Sequence, residues 1–288
     1  MKRVLRSGMG VAARFGPAWW LFRMLKWMAD VLAEPFHQGR IARRAREDAA
    51  FAREISPQLL VLSGPFRGLR YPEAAAAGSV LVPKLLGSYE HELHGALMQL
   101  MAGSYTDIVD IGCAEGYYAV GLGRHFERAR VHAFDLDARA LRLCRRMARL
   151  NGVAGRLLLS RRCDEPVLFS LLARSIGPRA LIVCDCEGQE AELFSSRVVA
   201  RLAPHDLLVE VHERHRPGLA ATLRRRFEAS HEVHEIDSID DGRRTRLDSW
   251  PELDRFDPVT RRRLLSEGRE GQMEWLVLTA RPRLALAA

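Results

Sequence analysis

Four side chains near the ends of apolar runs hold the clearest potential for chemistry in this sequence: Asp185, Glu187, Glu210 and His212. Asp185 terminates Leu181-Ile-Val-Cys184, and Asp185, Glu187 and Glu190 put three carboxylates within six residues, around Gly188. Glu187 and Glu190 have a plain alternative as acidic residues at the positive start of a helix. A carboxylate ending an otherwise apolar strand is harder to dismiss, which makes Asp185 the leading candidate for catalysis or ligand orientation. In Leu207-Leu-Val-Glu-Val-His212, Glu210 and His212 alternate and therefore share a strand face. His212 suits general-base work on a hydroxyl, although a lone histidine is as often structural. The expected chemistry is removal of an acceptor proton by Asp185 or His212, with Glu187 or Glu210 orienting the group. Asp185 and Glu187 are also donors of the kind magnesium takes, but the sequence does not itself indicate a metal.

A second group of residues reads as a cofactor corner. Asp107-Ile-Val-Asp-Ile111 has the alternation of a short buried strand, Gly112-Cys-Ala-Glu-Gly116 is a tight turn of small residues, and helical composition resumes at Tyr117. A dinucleotide fingerprint would read G-x-G-x-x-G, with room for a pyrophosphate at the helix start. Here Asp110 precedes the turn and Glu115 lies within it. Two carboxylates repel a pyrophosphate and suit a ligand with a cationic amino group, which points to S-adenosylmethionine rather than NAD. Asp135 follows Asp110 by 25 residues, in Ala133-Phe-Asp-Leu-Asp137, where a carboxylate can accept both ribose hydroxyls. Asp137 reads as a helix cap. Asp164 either meets an adenine amino group or merely caps the helix containing Pro166.

These positions require an ordered scaffold, and the pattern supplies one. Strand-like segments at 107–112, 130–135, 156–162, 179–185 and 206–212 alternate with helical ones at about 116–126, 137–151, 165–175, 188–202 and 217–229. Such alternation predicts a parallel sheet with helices on both faces. Two more strands, at 231–237 and 273–279, flank a charged stretch with a short helix around Pro258 to Ser266. Upstream, 59–72 reads as two short strands around Gly64-Pro65 and Gly68, and Ser88 reads as the N-cap of a helix with Leu93, Leu97, Leu100 and Met101 on its buried face. His91 and His94 are spaced i,i+3, so the H-E-x-x-H pattern of a zinc protease is absent.

The 288 residues divide into a basic N-terminal extension, 1–58, and a main domain, 59–288. Net charge is +8, carried mainly by arginine; a solvated surface is the ordinary reading, an anionic partner the sharper one. Five cysteines, an odd number placed in core-like segments, indicate a reduced cytoplasmic protein, and Cys184-x-Cys186 has no second pair to make a zinc site. Within the extension, Arg40 to Arg53 reads as an exposed charged helix or linker. Residues 17–33 combine Trp19, Trp20 and Trp27 with Arg23 and Lys26; they are too short and too charged to span a bilayer. They suit either packing on a protein surface or peripheral contact with the inner membrane surface.

The segments GSYEHEL (87–93), DIVDIGCAEGYYAV (107–120), VHAFDLD (131–137), CDCEGQE (184–190) and LLVEVHE (207–213) together resemble the FkbM family of S-adenosylmethionine-dependent methyltransferases, over roughly residues 59–280. The glycine turn is common to methyltransferases at large, whereas Y-E-x-E-L followed by D-x-E-G-x-E is more specific. The resemblance implies a Rossmann-like class I α/β fold with a mostly parallel seven-stranded sheet, preceded by the helical extension. It implies that Tyr89 and Glu90 lie near the cofactor. Asp110, Gly112, Cys113, Ala114, Glu115 and Gly116, with Tyr117, would hold its methionine part, and Asp135, with Leu136, its ribose. The Asp185–Glu187 segment would face the reaction centre. Val183 stands where the family often has lysine, so no role of that lysine carries over. Family members typically methylate hydroxyls of sugars, glycolipids or polyketides, so a sugar or glycolipid acceptor is expected and no specific nucleic acid. Homo-oligomerisation stays open. The competing readings are an RNA-modifying methyltransferase and a non-catalytic, membrane-anchored scaffold with the same fold.

Overall fold

Asp107–Ile111 (β1), Ala180–Cys184 (β4) and Asp206–Val211 (β5) are buried along their whole length; β4 is a continuous apolar run, while β1 also buries Asp107 and Asp110, and β5 Asp206 and Glu210. The computed structural model describes residues 21–26, 28, 43–244, 246, 250–269, 271 and 273–282. β1 pairs in parallel with Arg130–Phe134 (β2) and with β4; β2 pairs with Leu157–Ser160 (β3), and β4 with β5. His231–Asp237 (β6) and Glu274–Ala280 (β7) are joined antiparallel, and β7 lies antiparallel against β5. The sheet order is β3-β2-β1-β4-β5-β7-β6. This is the expected seven-stranded, mostly parallel, Rossmann-like class I methyltransferase fold.

Strand alternation divides the core between the two faces of the sheet. Ile108, Val131, Leu181 and Leu208 pack on one face, with Leu122 of Tyr117–His125 and Met147 of Ala138–Leu150. Val109, Ile182, Leu207 and Val209 pack on the other, with Leu168 of Glu165–Arg174, Val198 of Ser196–Leu202, and Leu223 and Phe227 of Leu219–Phe227. Asp137 and Asp164 cap their helices, accepting from the amides of Arg139 and Val167. The helical stretch expected at 188–202 is broken: Glu190–Leu193 and Ser196–Leu202 are separate, and Ser195 caps the second.

Upstream of the sheet, two expectations change. Residues 59–72 form no strands; a single antiparallel bridge joins Leu60 to Arg70, because Gly64 and Gly68 turn the chain with positive φ. Ser88 caps no helix. The chain instead turns through Glu90, held at φ 49°, into a 3₁₀ turn, His91–Leu93, and the helix His94–Met101. The rings of His91 and His94 lie 4.8 Å apart.

The chain divides into two units, Met1–Ala49 and Ala50–Ala288. In the first, residues 21–26 are helical and expose Leu21, Phe22, Met24 and Leu25, while Trp19, Trp20 and Trp27 lie outside the described residues. Residues 43–55 are helical. Among the described residues no helix is long and apolar enough to cross a membrane.

Candidate functional site

The strand order reverses between β1 and β4, and in such sheets the crevice beyond the strand ends at that point takes the ligand. Here a cleft of about 1610 Å³ opens there, reached by residues that follow β1, β2, β4 and β5. Two glycines make the corner possible. Gly112 (φ 87°) sits so close to the neighbouring chain that a Cβ would lie 1.7 Å from the Asp185 carbonyl oxygen. Gly116 (φ 98°) faces Cys144 Sγ, which an added Cβ would approach to 2.8 Å. Backbone geometry therefore fixes both positions as glycine.

On the cofactor side, Asp110 is buried and its Oδ2 has no hydrogen-bond partner. Burial, reinforced by the charges of Asp185 and Asp135, pushes its carboxyl up to about 8, against a bond from the Ala119 amide that lowers it. Asp135 accepts from the amides of Ala114 (2.8 Å) and Asp137 (2.7 Å), one on each oxygen, so each oxygen keeps a lone pair for a ribose hydroxyl. Leu136 is 69% exposed beside it, an apolar surface at the cleft edge. Asp164 lines the cleft, and besides capping its helix it pairs with Arg162 at 3.1 Å. Cys113, Ala114 and Tyr117 also line the cleft.

Glu115 and Gly116 do not line it. The Glu115 carboxylate turns inward, accepting from Lys84 Nζ (2.7 Å), the Tyr71 hydroxyl (3.2 Å) and the Ala77 amide (2.9 Å). One of the two carboxylates expected to greet a cationic ligand is thus neutralised inside the protein, and Asp110 alone of that pair remains without a cationic partner. Lys84, which sequence reasoning passed over, does reach the cleft, with its ammonium 4.7 Å from the Tyr89 ring centre and 5.1 Å from that of Tyr117. A lysine inside Leu81–Leu86, otherwise wholly apolar, was the available signal.

Glu90, buried under the cleft, accepts from the Tyr118 hydroxyl and from Arg269 Nη2 at 2.8 Å. Arg269 belongs to the charged stretch between β6 and β7, where no function was anticipated. It bonds Glu210 (2.9 Å) and Glu267 (2.8 Å) as well, so one guanidinium ties that stretch to β5 and to the turn before the helix His94–Met101. Arg244 continues the network, pairing with Glu92 at 2.9 Å and with Glu267. Burial pushes Glu267 up to about 7, and burial together with the Asp185 and Glu90 charges pushes Glu210 far above the usual carboxylate range.

The remaining candidates meet at the ends of β4 and β5. His212, buried at 6% side-chain exposure, faces Glu190 Oε1 through Nδ1 at 2.7 Å. Its Nε2 lies 3.4 Å from Asp185 Oδ1 and 3.4 Å from Glu187 Oε2. Burial lowers the affinity of the imidazole for its proton, but the Glu190 bond and the charges of Asp185, Glu190 and Glu187 outweigh it and leave the pKa raised. Burial raises Asp185, with His212 opposing. Asp185 and Glu187 after β4, and Glu210 and His212 at the end of β5, therefore line one end of the cleft, where Asp185 or His212 could accept the proton of a hydroxyl. Glu190, read only as a helix-start residue, is the carboxylate that orients His212.

A family model, the methyltransferase small domain, matches residues 95–167. No curated protein matches the chain. Among solved structures it is similar to the O-methyltransferase TomG from Streptomyces achromogenes in complex with SAM, at 13% identity, covering 82% of this chain and 89% of that one with a TM-score of 0.45. It is also similar to a putative O-methyltransferase from Klebsiella pneumoniae, at 14% identity over 68% and 82% of the two chains, TM-score 0.44. TrmN from Thermus thermophilus is similar at 16% identity, TM-score 0.40; 65% of this chain is covered, but only 48% of TrmN. Strand order, cleft position and the family match define an S-adenosylmethionine-dependent methyltransferase.

Proposed function

We propose that this enzyme methylates a hydroxyl of a sugar, glycolipid or related small molecule, in line with its resemblance to the FkbM family. The observation that carries the reading is the pairing of two unlike ends in one cleft. At one end Asp110 Oδ2 is buried without a partner, fitted to an ammonium group; at the other, His212 and Asp185 face the cleft as proton acceptors.

Asp110 would hold the amino group of the cofactor, Asp135 the ribose hydroxyls, and Leu136 an apolar ring face. Bound there, S-adenosylmethionine supplies an electrophilic methyl group, whose C–S bond breaks as the acceptor oxygen bonds to carbon, the electron pair going to sulfur. The protein's part is to hold the hydroxyl in line and to take its proton at the Asp185–Glu187–His212 corner. Tyr89 and Tyr118, half-buried in the cleft wall, give it aromatic surface on which a sugar ring can pack.

RNA methylation is a second reading, favoured by Arg139, Arg142, Arg145 and Arg149, exposed along Ala138–Leu150 and without an ion pair among the described residues. Radiolabelled S-adenosylmethionine offered with a panel of glycans and glycolipids, and separately with RNA, decides between the two. Label in the glycan or lipid fraction supports hydroxyl methylation of small acceptors. Label in RNA, with a steep salt dependence of binding, overturns it.

A further inference from the structure

We infer that Asp185, Glu187 and His212 form a binding site for a divalent cation, and that the cation holds the acceptor hydroxyl oxygen. The inference rests on the acceptor end proposed above. Asp185 Oδ1, Glu187 Oε2 and His212 Nε2 lie within 4.8 Å of one another. Both distances from Nε2, 3.4 Å, exceed the usual N–H···O range of about 2.7–3.2 Å. They match the spacing of neighbouring ligands around one ion, about 3.0–3.5 Å when each sits about 2.1 Å from the metal.

The partners of the surrounding charges point the same way. Glu190 Oε1 accepts from His212 Nδ1 and the Gly188 amide, and Glu210 Oε1 from Arg269, so each of these carboxylates has a donor. Asp185 and Glu187 have no arginine or lysine partner among the described residues, and Asp185 Oδ1 is buried without a hydrogen bond. His212, a side chain more than nine-tenths buried, makes its one side-chain hydrogen bond among the described residues through Nδ1, and Nε2 faces the two carboxylates. A histidine whose far nitrogen is fixed by a carboxylate is the usual supporting arrangement for a metal ligand.

Two carboxylates and one imidazole suit manganese, magnesium or zinc and leave coordination positions for the acceptor. An oxygen bound to such an ion is more acidic. His212 then serves as ligand, and the proton leaves to a carboxylate oxygen not engaged with the ion. The O–CH₃ bond forms and the C–S bond breaks as before.

Manganese is the probe. Titration of the full chain with Mn²⁺, followed by electron paramagnetic resonance, is expected to show one ion per protein and a ¹⁴N coupling in pulsed spectra. Asp185→Asn and Glu187→Gln weaken binding at least about tenfold, His212→Ala removes the nitrogen coupling, and Glu190→Gln weakens binding about 10–100-fold. Absence of stoichiometric Mn²⁺ binding by the wild-type chain, or binding that all four substitutions leave unchanged, overturns the inference. Calorimetry with S-adenosylhomocysteine on the same samples confirms folding and separates the two claims. Nucleoside binding without Mn²⁺ removes the cation site alone; Mn²⁺ binding without the nucleoside removes the methyltransferase reading and leaves the cation site standing.

Discussion

Lys84 Nζ lies 2.7 Å from Glu115 Oε1, with the two side chains only 3% and 2% exposed. This pair removes Glu115 from the cofactor cleft and brings a lysine to its wall instead. Breaking one side leaves a buried charge without its partner. Lys84→Met is expected to cost about 3–5 kcal/mol in urea unfolding, and Lys84→Met with Glu115→Gln to recover most of that loss.

Asp110 gives the cofactor site a pH dependence of definite sign. Its carboxyl, at about 8 in the free protein, is protonated at neutral pH and cannot pair with an ammonium in that form. Affinity for S-adenosylhomocysteine should therefore rise from pH 6 to about 8 with release of a proton, readable by calorimetry in buffers of different ionisation enthalpy. Asp110→Asn should lower affinity at pH 8 by about 1.5–3 kcal/mol and flatten the profile.

At Gly112 an alanine Cβ would fall 1.7 Å from the Asp185 carbonyl oxygen, on a backbone that side chains rarely adopt. Gly112→Ala must push β1 and β4 apart at the cleft. The backbone strain alone costs about 1–3 kcal/mol, and loss of nucleoside binding should exceed the loss of stability seen in thermal melts.

Arg269 is the only bond donor shared by Glu90, Glu210 and Glu267 among the described residues. Arg269→Ala is expected to cost about 3–5 kcal/mol and to expose residues 266–269 to limited proteolysis. Arg269→Lys should not restore protection, because a single ammonium cannot span the three carboxylates as a planar fork does.

Away from the cleft, His205 is buried and accepts from the Ala180 amide at 3.0 Å through Nδ1. Burial lowers its pKa to about 4, and lowers that of His231, whose ring meets the His205 carbonyl at 2.9 Å. Both are neutral when folded and protonate near 6.5 when unfolded. Above pH 6.5 their contribution to stability is complete; it declines as pH falls below 6.5, and the His205 share levels off below about 4. Thermal melts across that range should show a slope that His205→Gln reduces.

The sequence by itself determined the parallel sheet, since short, largely apolar strand segments alternate regularly with helical ones. It determined the glycine turn after β1 and the cap at Asp137, which are local geometry, and left Asp164 between a cap and an adenine contact. It also marked Asp110, Asp135, Asp185, Glu210 and His212, because a charge at the end of an apolar strand has few structural reasons to be there. Tertiary structure alone decided what each charge meets. Glu115 turned from ligand residue to ion-pair partner because Lys84, 31 positions upstream, packs beneath the turn. Glu190 became the support of His212, 22 positions away, and Arg269 crossed 179 positions to reach Glu90. The order of the last strands, with β7 inserted between β5 and β6, brings Arg269 over the cleft. Such pairings follow from the register and folding-back of the sheet, which no local pattern of residues encodes.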